Sequence, residues 1–428
     1  MSPRVEAAVH RTFASARGSR NFRLYLIGQL VSATGTWMHF TASSWLVLQL
    51  SGSGTAIGVN AALQFGPMLL LGPWGGVIAD RFDKRRILML TQASFGVLAL
   101  ALFGLIATDV ITLGMVYALS LVTGIVNAFD NPTRQSFYAE MVGEEALTNA
   151  VSLNSAAFTG ARIVGPAVAG LLIATLGIEW PFLIDGVSYL AVIGALTAMR
   201  TDELVPQRRA ARSGGRLVEG LRYVWSTPDL RRPLIVLAIV FTFSFQFMVL
   251  VPLLVERVFD GDAGAFGLLS AVAGVGSFVG AIVMANRAPR PTYLLLGAFG
   301  AGFGLGLLAT AAAPTLLVAV AIMLPLGFVT MAFMITGNTM LQTNAKPDAR
   351  GRVMALYGAV FLGSTPLGSP LVGWFAEHVG VRQGFVLTGS VALATGIAVL
   401  WLRRRAVAAA ELTRAEVDGP VAAERASA

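Results

Sequence analysis

Twelve apolar runs dominate this chain, and each reaches the ~20 residues a helix needs to cross a ~30 Å hydrocarbon core. They lie at 23–50, 55–79, 87–108, 111–131, 147–173, 180–199, 232–256, 264–286, 293–312, 315–340, 352–376 and 382–402. Inside lipid such runs have little choice of secondary structure. Backbone groups without water must bond within their own segment, and barrel strands would be shorter and alternating, so helices are expected throughout. The charges then orient the object. Of 31 lysines and arginines, 28 fall in the even-numbered connections or at the two ends. The odd connections hold only Arg257 and Arg382, and Arg162 lies inside a run. Under the positive-inside rule both termini are expected in the cytoplasm, with the chain multi-pass in the inner membrane.

Composition removes several function classes. The chain is 55% hydrophobic and 13% charged, against a soluble norm of ~25% charged. Its net charge of +8 is spread over short connections, which fits contact with anionic membrane lipid and not with nucleic acid. The first residues are polar and basic, without the short apolar core of a cleavable signal peptide, so the first run is expected to persist in the mature chain. With no cysteine, disulfides, thiolate metal sites and cysteine nucleophiles are excluded. His10, His39 and His378 lie too far apart along the runs to share a metal, and no G-x-S-x-G elbow is present. An enzyme is therefore not expected, nor a metal or cofactor. No G-x-x-x-x-G-K-[ST] loop suggests ATP as a driver.

The one long polar connection, 200–231, separates six runs from six. The expected organisation is a cytoplasmic segment at 1–22, a bundle at 23–199, a linker at 200–231, a second bundle at 232–402 and a cytoplasmic tail at 403–428. Within the linker, Leu217, Leu221, Val224 and Trp225 share a helical face, which predicts a short helix in the headgroup region. The halves also repeat. Asn131 and Gln135 match Asn338 and Gln342 at an offset of 207. Leu153, Gly165, Gly170, Gly177 and Phe182 match Leu356, Gly368, Gly373, Gly380 and Phe385 at an offset of 203. Parallel repeats of this kind occur in transporters that rock two bundles about a central site, although duplication alone would also suit a channel or a membrane enzyme.

Two motifs narrow the choice. Between the second and third runs stands Gly76-Val77-Ile78-Ala79-Asp80-Arg81-Phe82-Asp83-Lys84-Arg85-Arg86. It resembles the loop signature of the major facilitator superfamily, G-x-x-x-D-R-x-G-R-[RK], with Asp83 and Lys84 departing from the preferred Gly and Arg. Locally, Gly76 lets another helix approach, and Asp80 suits a helix N-terminus. The resemblance implies that this helix is the eleventh run, starting near Gly351-Arg352, and that Lys84 pairs with Asp130 at the end of the fourth run, forming a conformational latch with Gly76, Asp80 and Arg81. In the fifth run, Ser152 followed by Gly160-Ala161-Arg162-Ile163-Val164-Gly165-Pro166-Ala167-Val168-Ala169-Gly170 resembles the superfamily's exporter motif, G-x8-G-x3-G-P-x2-G-G, with Ser152, Ala161 and Ala169 replacing three of its glycines. Gly160, Gly165 and Gly170 offer close helix contact, and Pro166 leaves the Arg162 carbonyl unbonded, so a bend is expected there. Asn21-Phe22-Arg23, Gly35-Thr36-Trp37-Met38, Asp130-Asn131-Pro132-Thr133-Arg134-Gln135 and Gly351-Arg352-Val353-Met354 are similar to the bacterial exporter branch that includes the enterobactin exporter. The resemblance covers about residues 20–402. It implies an all-α membrane protein with twelve transmembrane helices in two pseudo-symmetric six-helix bundles, the major facilitator fold.

Ionisable groups inside runs cost ~2.5–3.5 kcal/mol on the gentlest scale, so each invites a functional reading. His39, Arg162, Asp185 and Glu256 are the candidates for a substrate or proton pathway, each with a structural role as the plain alternative. By the 1.5 Å rise per residue, Arg162 lies roughly 15 Å and Asp185 roughly 6 Å from the outer ends of their runs, which allows a pair between them. Of Phe241, Phe243, Phe245 and Phe247, spread around one helix, two at most are expected to line a cavity. The expected function is secondary transport by alternating access: efflux of a small amphipathic molecule, such as a siderophore or drug, in exchange for protons, by a monomer. A lipid or metabolite exporter, or a non-transporting receptor or scaffold, are the alternatives.

Overall fold

In the computed structural model, which describes residues 14–205, 216–287, 291–347 and 349–426, regular structure is helical throughout. The helices are α1 (Ala14–Gly18), α2 (Arg20–Ser51), α3 (Gly54–Arg81), α4 (Lys84–Ala107), α5 (Leu113–Thr175), α6 (Trp180–Thr197), α7 (Arg216–Ser226), α8 (Pro228–Ile239), α9 (Phe247–Phe259), α10 (Ala263–Arg287), α11 (Tyr293–Ala312), α12 (Leu316–Asn344), α13 (Arg350–His378) and α14 (Val381–Ala426). Six of their starts are set by side chains that accept a free first-turn N–H. Ser19, Ser53, Asp83, Thr112, Thr292 and Thr315 all cap in this way, which satisfies donors that lipid would leave bare.

Ten helices among the described residues are long and apolar enough to cross a membrane. The expected first run, α2, is not one of them. Buried Asn21, Gln29, Ser32, His39, Thr41 and Ser43 make it polar along one side. The fourth and fifth runs form the single 63-residue α5, broken at Gly143 (φ 73°, ψ 174°). Residues 132–146, expected as a loop, are helical on both sides of that break.

The contacts show how α5 lies. Its middle meets the end of the molecule that carries the basic loop: Lys84 Nζ binds Glu140 Oε1 at 2.5 Å, Ser19 Oγ donates to the Met141 carbonyl at 2.7 Å, and Ser15 Oγ to Asn149 Oδ1 at 2.6 Å. Its two ends meet the opposite side. The Tyr117 hydroxyl donates to the Ala56 carbonyl at 3.2 Å, and Gly170 packs on Ala263 and Gly267 of α10. The arms at 113–142 and 144–175 therefore each run the depth of the bundle, as does α2 from Ser19 to Gly52.

The internal repeat reappears in the geometry. Gln135 donates to Asn131 at 2.7 Å and Gln342 to Asn338 at 2.6 Å. Gly177 and Gly380 adopt φ of 127° and 131°. Phe182 and Phe385 are both fully buried. Gly165 packs on Trp37 and Thr34 of α2, while Gly368 packs on Thr242, just after α8.

The halves meet chiefly at the end opposite the basic loop. There Gly58 lies on the Ser369 carbonyl, Gly54 on Gly373, and Gly170 on Gly267. At these places a Cβ would collide with backbone, so small residues set the helix spacing, as expected where packing and not the hydrophobic effect holds helices together. Toward the basic end α3 and α13 part. A Cβ at Gly363 would still meet Leu69, but a Cβ at Gly72 or Gly76 would meet nothing within 4 Å. The molecule is thus closed at one end and open at the basic end.

Helix α7 forms where the linker pattern places it. Val224 is fully buried, whereas Leu221 and Trp225 are exposed. Its Glu219 pairs with Arg352 of α13 at 3.0 Å.

Candidate functional site

Two chambers lie within the spans. The central one, about 250 Å³, sits between the halves. Helices α2 and α3 contribute Trp37, Phe40, Phe65, Asn60 and Gln64, and the second arm of α5 contributes Arg162 and Pro166. The other half supplies Phe245, Gln246, Phe247, Ser277, Thr330, Phe361 and Ser369. Arg162 is the only charged side chain lining this chamber among the described residues. Its guanidinium stacks over Trp37, 5.3 Å from the ring centroid. It makes no ion pair among the described residues, and the Trp37 indole N–H is buried without a partner. An aromatic wall with a half-buried cation and a spare donor suits an amphipathic molecule carrying negative charge.

The expected Arg162–Asp185 pair is not formed. Asp185 bonds His39 instead, Oδ2 to Nδ1 at 3.0 Å, with both residues buried. Gly35 makes this possible: a Cβ there would lie 2.8 Å from Asp185 Oδ1, so only a glycine lets α6 come so near α2. The pair lines the second chamber, about 200 Å³ and wholly on the first half's side apart from Leu362. Gln64, Gln92, Asn127, Asn131 and Arg134 also line it.

The α8–α9 crossing is interrupted by a π-helical stretch, Val240–Ser244. Gln246 repairs the break: its Nε2 donates to the Phe241 carbonyl at 2.8 Å, and its Oε1 accepts from Ser369 at 2.6 Å. Of the four phenylalanines, Phe245 and Phe247 line the central chamber, Phe241 is core and Phe243 is exposed. Nothing in the sequence marks Gln246, since a lone uncharged amide in an apolar run carries neither a periodic signal nor the cost of a charge.

The basic loop differs in detail from what the motif implied. Lys84 pairs with Glu140, not Asp130. Asp130 is fully buried deeper in α5, where it binds Arg134 and accepts from Thr91 at 2.7 Å and Gln92 at 2.9 Å. The sequence reading placed Arg134 in a loop, and the helix through 132–142 puts it inside the bundle. Arg85 donates to the Leu196 carbonyl at 2.6 Å, closing the end of α6. Asp80 is exposed and has no partner among the described residues, and space around Gly351 is open. The contact between Asp80 and α13 is therefore absent in this state. Gly76 faces open space, and its neighbour Gly75 makes the close approach, to Ala128 of α5. In the fifth run Gly160 also faces open space, while Gly165 and Gly170 make the helix contacts. Glu256 is half-buried near the closed end and lines neither chamber.

The sequence matches the transmembrane secretion effector family over residues 12–426. The chain belongs to this family of major facilitator transporters. It is 24% identical to the staphyloferrin A transporter of Staphylococcus aureus, an alignment covering 87% of this chain and 93% of that one. It is 29% identical to the multidrug efflux pump Tap of Mycolicibacterium fortuitum, covering 89% and 95%. The enterobactin exporter EntS of Shigella boydii is 23% identical, covering 82% and 84%. Among known structures, a bacterial homologue of the lysosomal transporter Spinster in an inward-facing, unoccupied conformation superposes with a TM-score of 0.67 at 16% identity, covering 89% and 95%. That likeness establishes the fold. The protein is a multi-pass membrane transporter and not an enzyme.

Proposed function

We propose that this transporter exports a small amphipathic organic anion from the cytoplasm by alternating access, in exchange for protons. The observation that carries the reading is the central chamber, shared by both halves, walled by aromatic rings and provided with one cation, Arg162. Relatives named for staphyloferrin A transport, enterobactin export and multidrug efflux support export of a small organic molecule. The positive-inside rule assigns the basic end to the cytoplasm, with twelve crossings, both termini cytoplasmic and residence in the inner membrane. The state described here then opens to the cytoplasm, ready to load. The two repeats, divided at 200–231, act as the rocking bodies of a monomer, and the Asp80 loop latches the alternate state.

The test uses everted membrane vesicles with an acid lumen, in which export appears as uptake. Sulforhodamine B, an amphipathic anion whose fluorescence is insensitive to pH, should accumulate several-fold above vesicles lacking the protein and leak out when the gradient is collapsed. Uptake of the amphipathic cation tetraphenylphosphonium in its place would overturn the anionic substrate. Accumulation indifferent to the gradient would overturn proton exchange.

A further inference from the structure

We infer that His39 and Asp185 together form the proton-carrying site of the transport cycle, in a chamber distinct from the one that holds the organic substrate. This rests on the proton-coupled reading above and names the groups that perform it.

Four observations converge. His39 and Asp185 face each other at 3.0 Å and are nearly inaccessible, at 8% and 1% exposure. The second carboxylate oxygen of Asp185 is buried with no hydrogen-bond partner. The pair opens onto the second chamber, of about 200 Å³, far larger than the ~10–15 Å³ that one water requires, and its amide side chains supply partners for water. Finally, the internal repeat does not copy the pair. Thr388 stands where the second half would need the counterpart of Asp185. A group kept only for packing would serve equally well in either half, whereas a proton needs one site.

The charge arithmetic is simple. With the imidazolium beside the carboxylate the pair is neutral as a whole, and loss of one proton leaves a net negative charge in a buried place. That charge is expensive unless something moves to meet it. The titratable and charged groups facing the pair are few. Tyr189 of α6 lines the same chamber, as does Arg134 of α5, which is already bound to Asp130. Helices α3 and α4 present no titratable group to it, only the amides of Gln64 and Gln92, the rings of Phe65 and Phe95, and Met68.

The two chambers share a wall. Phe40 and Phe65 line both and stack face to face, with centroids 5.6 Å apart and planes 2° from parallel. Trp37, which holds Arg162, lies on the same stretch of α2 as His39 and packs against Phe40 at 5.6 Å. A change in the His39–Asp185 bond therefore reaches the substrate cation through one rigid helix and one ring pair. A proton and an anion can then bias the same element without sharing a site.

The experiment needs no substrate, so the flux assay above judges the export reading separately. The chain has no cysteine, and single cysteines replacing exposed Arg86 and Lys346 place a spin-label pair across the open end. In reconstituted full-length protein, the distance distribution should shift between pH 6 and pH 8. Asp185→Asn and His39→Gln, which each keep a hydrogen-bonding side chain of similar shape, should both lose that response. Should either variant fail to fold, the other decides. A pH response that survives in a folded variant, or is absent from the parent protein, overturns the proposal.

Discussion

Arg162 and Arg134 are both arginines within the spans, and their surroundings give them different work. Arg134 is bound to a fully buried carboxylate, whereas Arg162 has only the face of an indole. An arginine over a ring gains ~0.5–2 kcal/mol from the contact and presents a planar fork to oxygen acceptors. Arg162→Lys keeps the charge and loses both. Sulforhodamine B uptake, normalised to protein in the membrane, should fall about tenfold, which corresponds to ~1.4 kcal/mol. Wild-type rates would make Arg162 a structural residue. Asp130→Asn should behave otherwise. It strands Arg134, and breaking a buried pair from one side costs ~3–5 kcal/mol, here nearer the lower figure because the Arg134 side chain keeps 21% exposure. Thermal unfolding in detergent should show a clear loss of stability. Lys84→Met, which removes the pair with Glu140, should cost distinctly less.

At the scale of elements, the reversal in α5 depends on one backbone position. Gly143 holds φ 73° and ψ 174°, a region that residues with a Cβ essentially avoid, at a cost of ~1–3 kcal/mol. Nothing lies within 4 Å of a Cβ built there, so Gly143→Ala tests conformation alone. It should lower the unfolding temperature and the amount of protein in the membrane. Gly160→Ala is the matching control: the space is equally open and the backbone is helical, so it should be neutral or stabilise by ~0.5–1 kcal/mol. Equal behaviour of the two variants would mean that the turn at Gly143 is not what folds the arms back.

The whole molecule is held in its present state from the closed end. Glu377 of α13 crosses to the first residues of α3, accepting from Ser53 Oγ at 2.6 Å and from Thr55 N and Oγ1 at 3.0 and 2.5 Å. A carboxylate on a helix N-terminus is a favourable contact, and it joins the two halves. Arg257 adds a second tie, to the Gly52 carbonyl. At the open end Asp80 has no such contact in this state. Neutralising each carboxylate should therefore move the population in opposite directions. Glu377→Gln should favour opening of the now-closed end, and Asp80→Asn should deepen the present state by weakening the alternate one. The Arg86/Lys346 spin-label pair reads both shifts. Movement in the same direction for both variants would remove the two-latch description.

The sequence by itself determined that the chain is helical, membrane-spanning and duplicated, and it supplied the charge asymmetry on which the proposed orientation rests. These follow from the length of apolar runs, from repeats such as Gly177 and Gly380, and from where charge falls, all of which are local or additive. It also identified His39, Arg162 and Asp185, because an ionisable group in an apolar run is costly and therefore conspicuous. Which partner each group has was decided only by tertiary structure. Asp185 chose His39 over Arg162 because Gly35 admits α6 to that side of α2. Lys84 met Glu140 over Asp130 because α5 continues as helix past 131 and carries Asp130 inward, beneath Thr91 and Gln92. Partnership depends on helix rotation and crossing to within an ångström or two, and those are fixed by where backbones can touch, a property of pairs of helices that no single run records.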